Sequence, residues 1–431
     1  MTQIKVKADR PVGPIKPLHG VGQPPFSGMD CSMFKYLTRM GAPYSRLHDV
    51  GGNFGGTRYV DIPNVFPDFD ADETDPASYD FAFTDVLISE LVKAGVEPFY
   101  RLGVTIENYC AVNMYRLNPP RDFAKWARIC EGVIRHYTEG WANGFNYKIE
   151  YWEIWNEPDN APDIPENQMW WGSRQQYFEL YDVTAKYLKQ RFPQLKIGGY
   201  ASCGFYAYAE QQGNPYAACS PRTQYFLDFF DEFLEYIKQN GSPLDFFSWH
   251  SYASIQDTLK FCEYARSKLD AAGYTGVEHM CNEWNVEPPI RGSYRHAALL
   301  AGWLLAMQNS SLDKAMLYDA RLGVSIYGAL FNPESRKPYP AYYAFVMFNE
   351  LFSRKTQVEV TVESAAEVYA VAARDETGTC LMIANVSENM EKLALAGLNA
   401  KNVELIGLGG RRELSAAPEY LPGLSVIMIR E

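Results

Sequence analysis

Eight short apolar, β-branched or aromatic runs alternate along this chain with helical stretches of about 15 residues, and that rhythm constrains the fold more than any other feature. The runs predict strands at Leu18–Gly22, Pro43–His48, Val96–Leu102, Ile149–Trp155, Leu195–Tyr200, Phe246–His250, Val277–Asn282 and Ala315–Tyr318. Between and after them the spacing predicts helices at Cys31–Met40, Asp80–Ala94, Arg121–Glu139, Arg174–Arg191, Thr223–Asn240, Ile255–Ala272, Tyr294–Ser310 and Ala341–Leu351. Glycines follow several helices (Ala94-Gly95, Asn240-Gly241, Ala272-Gly273), where a left-handed cap is expected, and Phe192-Pro193 closes another. Eight strands each followed by a helix fit a (β/α)8 TIM barrel over residues 17–352. A doubly wound open sheet is the other arrangement that such alternation allows. Its dinucleotide form wants GxGxxG, and Gly51–Gly56 (GGNFGG) does not match; it reads as a flexible loop after the second strand.

After Leu351 the rhythm changes. Val358–Val362, Val368–Ala373, Cys380–Asn385, Leu393–Leu395, Val403–Ile406 and Leu424–Ile429 are short and separated by turn residues. Residues 353–431 therefore read as an appended all-β, sandwich-like domain, to which residues 1–10, through Ile4–Lys7, add a strand.

Composition narrows the function classes. The 431 residues carry 40 basic and 52 acidic side chains, a net charge of −12. That balance argues against a nucleic-acid partner, which needs a basic surface against phosphates. The longest apolar run, Ala297–Met307, is far short of the roughly 20 residues that span a bilayer, and reads as a buried helix rather than a membrane element. The N-terminus lacks the apolar run of a signal peptide, so the expected location is cytoplasmic. None of the eight cysteines forms a CxxC pair, and they are expected reduced and buried.

The most informative stretch is Tyr151 to Asp159, YWEIWNEPD. Pro158 disfavours the helical conformation at Glu157 and is expected to keep it extended, at the carboxyl end of the fourth strand. That is the end where barrel enzymes place their chemistry. Apolar neighbours such as Trp155 would raise the pKa of Glu157, as a general acid requires. Glu283, in Asn282-Glu283-Trp284, ends the seventh strand in a similar setting, 126 residues further on. Two carboxylates over one barrel mouth are the equipment of glycoside hydrolysis. Arg46 and His48 end the second strand, and His250 and Tyr252 the sixth; they could support a carboxylate or bind a sugar hydroxyl. His48, Asp49 and His250 show no metal-ligand spacing, and no GxSxG is present, so neither a metal nor a nucleophilic serine is expected. Trp170 and Trp171 suit either a sugar-stacking platform or the core.

In these residues the chain resembles clan A retaining glycoside hydrolases, and within them family 39, which holds β-xylosidases and α-L-iduronidases. Glu153-Ile154-Trp155-Asn156-Glu157-Pro158-Asp159 is similar to that family's acid/base motif. The resemblance covers roughly residues 17–352, and the family also appends a β-sandwich to its barrel. It implies Glu157 as acid/base, Glu283 as nucleophile and Asn156 on the sugar 2-hydroxyl. His48, His250, Tyr252 and Trp284 would line the subsite of the cleaved sugar, with Arg46 supporting the carboxylates. The chain departs from the family's β-xylosidases, which usually have Thr-Glu-Phe around the nucleophile. Its eighth strand ends in Leu317-Tyr318-Asp319-Ala320-Arg321 without the tryptophan common in the clan. Arg321 would face a uronate carboxylate or pair with Asp319. The expected activity is retaining hydrolysis of short oligosaccharides or glycosides, β-xyloside-like, with no cofactor. A catalytically weak carbohydrate-binding protein, or an enzyme for L-arabinose or a uronate, are the alternatives. Exposed aromatic loops leave a homo-oligomer open.

Overall fold

A computed structural model of the chain describes residues 1–26, 30–50, 60–105, 117–163, 166–211, 220–286, 290–322 and 327–431. Gly51–Gly56, Cys110, Cys219 and Gly323 lie outside the described residues. Strand β1 is Thr2–Pro14. The next eight, β2 (Gly20–Gly22), β3 (Tyr44–Leu47), β4 (Glu97–Leu102), β5 (Tyr151–Ile154), β6 (Lys196–Ser202), β7 (Phe246–Ser251), β8 (Glu278–Trp284) and β9 (Lys314–Leu317), pair in sequence order and close into a parallel barrel. All eight predicted runs fall on them.

The barrel interior is layered by the two-residue period of its strands. Tyr44, Phe99, Tyr151, Phe246, Met280 and Met316 form an apolar plug at the amino-terminal end. Two residues further along the same strands stand Arg46, Arg101, Glu153, Ser248 and Asn282, all buried. The chain thus stacks a polar layer on an apolar one, and this polar layer is the floor of the site. Residues of the opposite parity pack outward against the helices: Leu47, Tyr100, Trp152, Phe247 and Cys281 belong to the large core shared with the helical ring.

Helix Arg174–Arg191 opens on a reciprocal Ser173–Gln176 capping box, and Pro221–Asn240 on Ser220–Thr223. Gly241 and Gly273 close their helices with positive φ, as the sequence predicts. Helix Tyr294–Gln308 contains the long apolar run and is buried. Among the described residues no helix is long and apolar enough to cross a membrane. The six described cysteines are free thiols, five of them buried.

The C-terminal strands are β10 (Thr356–Glu363), β11 (Val368–Asp375), β12 (Gly378–Asn385), β13 (Glu391–Ala396), β14 (Asn402–Gly407), β15 (Gly410–Leu414), β16 (Tyr420–Leu421) and β17 (Ser425–Arg430). With β1 they form one curled sheet in the order β15-β14-β17-β12-β11-β10-β1-β13-β16. Alternation gives it two apolar faces. Ile4, Val358, Leu381, Leu405 and Ile427 form its own core. Val371, Met382, Ala384, Ile406 and Met428 join the core of the barrel helices.

Candidate active site

The polar layer organises the site from below. Arg46, on β3, is 1% exposed and faces Glu153 on β5, which is fully buried. Its Nε and Nη2 both reach Glu153 Oε2 at 2.8 Å. Ser248 Oγ (2.6 Å) and Asn282 Nδ2 (2.5 Å) donate to the other oxygen, so the buried ion pair is fully hydrogen-bonded. This leaves the outer edge of the guanidinium for the layer above. Nη1 donates to Glu283 Oε2 (3.1 Å) and Nη2 to Asn156 Oδ1 (2.5 Å).

Glu157 reaches the mouth through a break in strand geometry. Trp155 takes φ +72° and Glu157 φ +45°, both in the left-handed region. The extended backbone expected before Pro158 is therefore not what forms. The Glu157 N–H bonds Ala201 O on β6 (3.0 Å) and its carbonyl accepts from Asn160 N–H (3.0 Å), a turn that outweighs the local preference. Such backbone strain, of order 1–3 kcal/mol, persists where surrounding contacts fix it. Trp155 is correspondingly turned into the helical layer, edge-on to Trp170, and its indole N–H donates to Met169 O.

Glu283 arrives by a different device. The pairing of β8 with β7 shifts register between Trp249 and His250, so that His250 stands opposite Glu283. This bulge lets two successive residues serve the interior: Asn282 reaches Glu153, and Glu283 enters the cleft. Trp284 then points outward. It is buried face to face on Trp303, with ring centroids 3.7 Å apart, and takes no part in the cleft, contrary to its expected place in the sugar subsite. Trp170 is likewise core, bonded to Ser173 O and stacked edge-on against Tyr177.

The two carboxylates meet around His250. One oxygen of each and a ring nitrogen of His250 all lie within 4.8 Å of one another. His250 Nδ1 is 2.6 Å from Glu157 Oε1, and Nε2 is 3.7 Å from Glu283 Oε2. Asn160 Nδ2 donates to Glu157 Oε2 (2.9 Å), and the Tyr252 hydroxyl to Glu283 Oε1 (2.6 Å). The same trio is spaced like a cation's ligands, but the short His250–Glu157 bond already occupies one donor set.

The charges are coupled. Burial raises the pKa of Glu157, yet the hydrogen bonds from His250 and Asn160 and the charge of Arg222 bring it below the ordinary carboxylate value. The raising expected from apolar neighbours is thus overridden by His250. Burial and the charge of Glu157 hold Glu283 above its ordinary value, against His250 and Arg46. Burial pulls His250 down, but the charges of Glu283 and Glu157 prevail and raise it. Burial, with Arg101 and Arg46 nearby, depresses His48 well below its ordinary value, so it is neutral.

A cleft of about 870 Å³ opens over this centre. His48, Asn156, Glu157, Tyr252 and Glu283 line it, together with Asp49, Tyr318, Tyr327, Asn160, Met169, Arg222 and Phe226. Arg46 and His250 stand directly behind the carboxylates. Arg321 is paired with Asp319 (2.6 Å), which decides between its two sequence readings. Glu153, Asn160 and Arg222 were not singled out by sequence reasoning. Glu153 was legible, lying at the inward period of β5 two residues after Tyr151; Arg222, at the start of a helix, carries no such signal.

Comparison with known proteins agrees with this geometry. The family described as glycosyl hydrolases family 39 matches residues 62–272. A β-xylosidase of Geobacillus stearothermophilus is 25% identical over 244 residues, 54% of this chain and 40% of that protein's length. One from Caldicellulosiruptor saccharolyticus is 22% identical over 380 residues, 78% of this chain and 69% of that protein. Among solved structures, a glucosidase from Croceicoccus marinus superposes with a TM-score of 0.77 at 20% identity, covering 100% of this chain and 98% of that one. A family 39 β-xylosidase from Caulobacter crescentus gives 0.70 at 19%, covering 99% of each. These structures share the fold.

Proposed function

From the premise that the chain belongs to glycosyl hydrolases family 39, we propose that it cleaves β-xyloside-like bonds of short oligosaccharides, with Glu157 and Glu283 as its two reacting groups. The observation that carries this reading is the convergence of both carboxylates within 4.8 Å around His250. Retaining enzymes hold their carboxyl groups about 5–5.5 Å apart, and inverting ones about 6.5–9.5 Å, to admit a water. The nearest oxygens of Glu157 and Glu283 lie within 4.8 Å of one another, which supports the retaining reading.

In the first step Glu283 attacks the anomeric carbon while Glu157 protonates the leaving oxygen. The Tyr252 and Arg46 hydrogen bonds stabilise the Glu283 anion and aim it. The proton for the leaving group is held in the short bond between His250 Nδ1 and Glu157 Oε1. His250, whose pKa is raised by the charges of Glu283 and Glu157, passes it to Glu157 as the sugar displaces water and weakens charge separation. In the second step Glu157, now ionised, takes a proton from water, which releases the sugar from Glu283 with its configuration retained. Asn156, whose Oδ1 is held by Arg46, keeps its Nδ2–H2 for the 2-hydroxyl. The two β-xylosidase relatives support the choice of sugar.

A panel of aryl glycosides tests this, with β-xyloside, β-glucoside, β-galactoside, α-L-arabinosides and an α-L-iduronide given to wild type and Glu283→Ala. The expected result is release by the wild type alone, fastest from the β-xyloside. Turnover by Glu283→Ala near the wild-type rate would remove Glu283 from its role. Sugar binding without product would make the chain a carbohydrate-binding protein.

A further inference from the structure

Asp49 takes no part in the reaction above, yet its side chain is held in place on the cleft wall. It follows His48 past the end of β3 with φ +55°, a left-handed turn at a non-glycine residue. Its side chain lines the cleft beside His48 and Tyr318. Tyr318 OH lies 2.5 Å from Asp49 Oδ2. The same phenol oxygen accepts from Gln23 Nε2 (2.8 Å) and Arg321 Nη2 (3.0 Å). A phenol has one proton, and with both acceptor positions filled it must donate that proton to Asp49. Asp49 is thereby locked as an acceptor. Its Oδ1, 3.1 Å from His48 Nε2, makes no well-formed hydrogen bond, and neither does His48 Nδ1, although both atoms are buried. With the proton of neutral His48 on Nε2 beside the carboxylate, both unpartnered atoms are acceptors, and they call for a ligand group that supplies a donor. A hydroxyl does so; a carboxylate does not.

We propose that Asp49 is a specificity-determining residue which, with His48, binds a hydroxyl of a neutral sugar at the cleft wall and excludes uronic acids. This rests on the glycosidase reading above and narrows its substrate class. The exclusion is electrostatic: a substrate carboxylate at this wall would meet the Asp49 carboxylate in a site that shields it from water. The cations nearest this wall are engaged, Arg46 with Glu153 and Glu283, and Arg321 with Asp319 and Tyr318; Arg222, elsewhere in the lining, donates its Nε–H to Asn160 O.

The test compares wild type and Asp49→Asn on the neutral aryl glycoside that the wild type hydrolyses fastest, on its 3-deoxy and 4-deoxy analogues, and on an aryl β-glucuronide. In the wild type, one deoxy position should lower kcat/KM about 10–100-fold, as loss of a hydrogen bond to a charged group does. In Asp49→Asn the parent substrate should fall by a similar factor and the deoxy penalty at that position should shrink to within a few-fold. The glucuronide should be inert to the wild type. Tyr318→Phe, which keeps the carboxylate but frees its orientation, should raise KM with less effect on kcat, and covers the case in which Asp49→Asn fails to fold. An unchanged deoxy penalty in Asp49→Asn, or wild-type preference for the glucuronide, overturns the inference while leaving the glycosidase reading intact. A wild type silent on every glycoside overturns that reading, and this inference with it.

Discussion

His250 sets the protonation of the whole centre, because it touches Glu157 and stands 3.7 Å from Glu283. The pH dependence follows from the signs of the shifts. On the proposed mechanism Glu283 attacks as the anion, and it lies above its ordinary value, so activity should fall on the acid side above the usual carboxylate pKa. In the proposed mechanism the proton for the leaving group is held by the His250–Glu157 pair. Because His250 is raised, that proton should be lost only above the usual histidine pKa of about 6.5. Replacing His250 by Gln removes the cation that lowers both carboxylates. The basic limb of kcat/KM should then move to lower pH and the acid limb to higher pH. An unaltered profile would show that His250 does not share the proton. Removal of Glu153 should be worse for folding than for chemistry. Glu153→Leu strands the buried Arg46 charge and should cost about 3–5 kcal/mol in denaturant unfolding. Glu157 and Glu283 were legible in the sequence because each lies at or just past the carboxyl end of an apolar strand run. The Arg46–Glu153 pair was not, because no local pattern relates a residue of β3 to one of β5.

At the scale of elements, two departures from regular geometry put the carboxylates where they are: the left-handed residues after β5 and the bulge between β7 and β8. The strands themselves were readable from their apolar runs, since barrel strands are buried on both faces. The bulge was not, because it exists only in the pairing of two strands. Hence the neighbours of Glu283 divided unexpectedly, Asn282 inward and Trp284 outward. Strands β15 and β16 were also missed: Gly410–Leu414 is largely exposed and polar, without the alternation that marks a strand. Helix Tyr294–Gln308 offers an element-scale test. A Cβ at Gly302 would lie 2.4 Å from Val386 Cγ1, a stiff side chain at the sheet junction. Gly302→Ala should therefore destabilise by about 1–3 kcal/mol through overpacking, despite its better helix propensity. A raised Tm would contradict this close approach.

At the scale of the molecule, one face of the C-terminal sheet completes the core of the barrel helices. Met382, Ala384 and Met428 pack with the helices Tyr294–Gln308 and Pro340–Arg354, and Arg430 forms a forked pair with Glu350. A chain ending at Lys355 would bare that apolar face, and should aggregate or melt well below the full chain in calorimetry. A soluble truncation with the full-length Tm would show the sheet to be dispensable. The central claim, that Glu283 carries the sugar between two displacements assisted by Glu157, is tested most directly by trapping. Glu157→Ala lacks both the acid and the base, so an aryl glycoside with a good leaving group should still glycosylate it while hydrolysis of the adduct stalls. Mass spectrometry of the digested protein should find one sugar residue on the peptide containing Glu283. An adduct on another residue, or an inverted product with no adduct, would contradict the account.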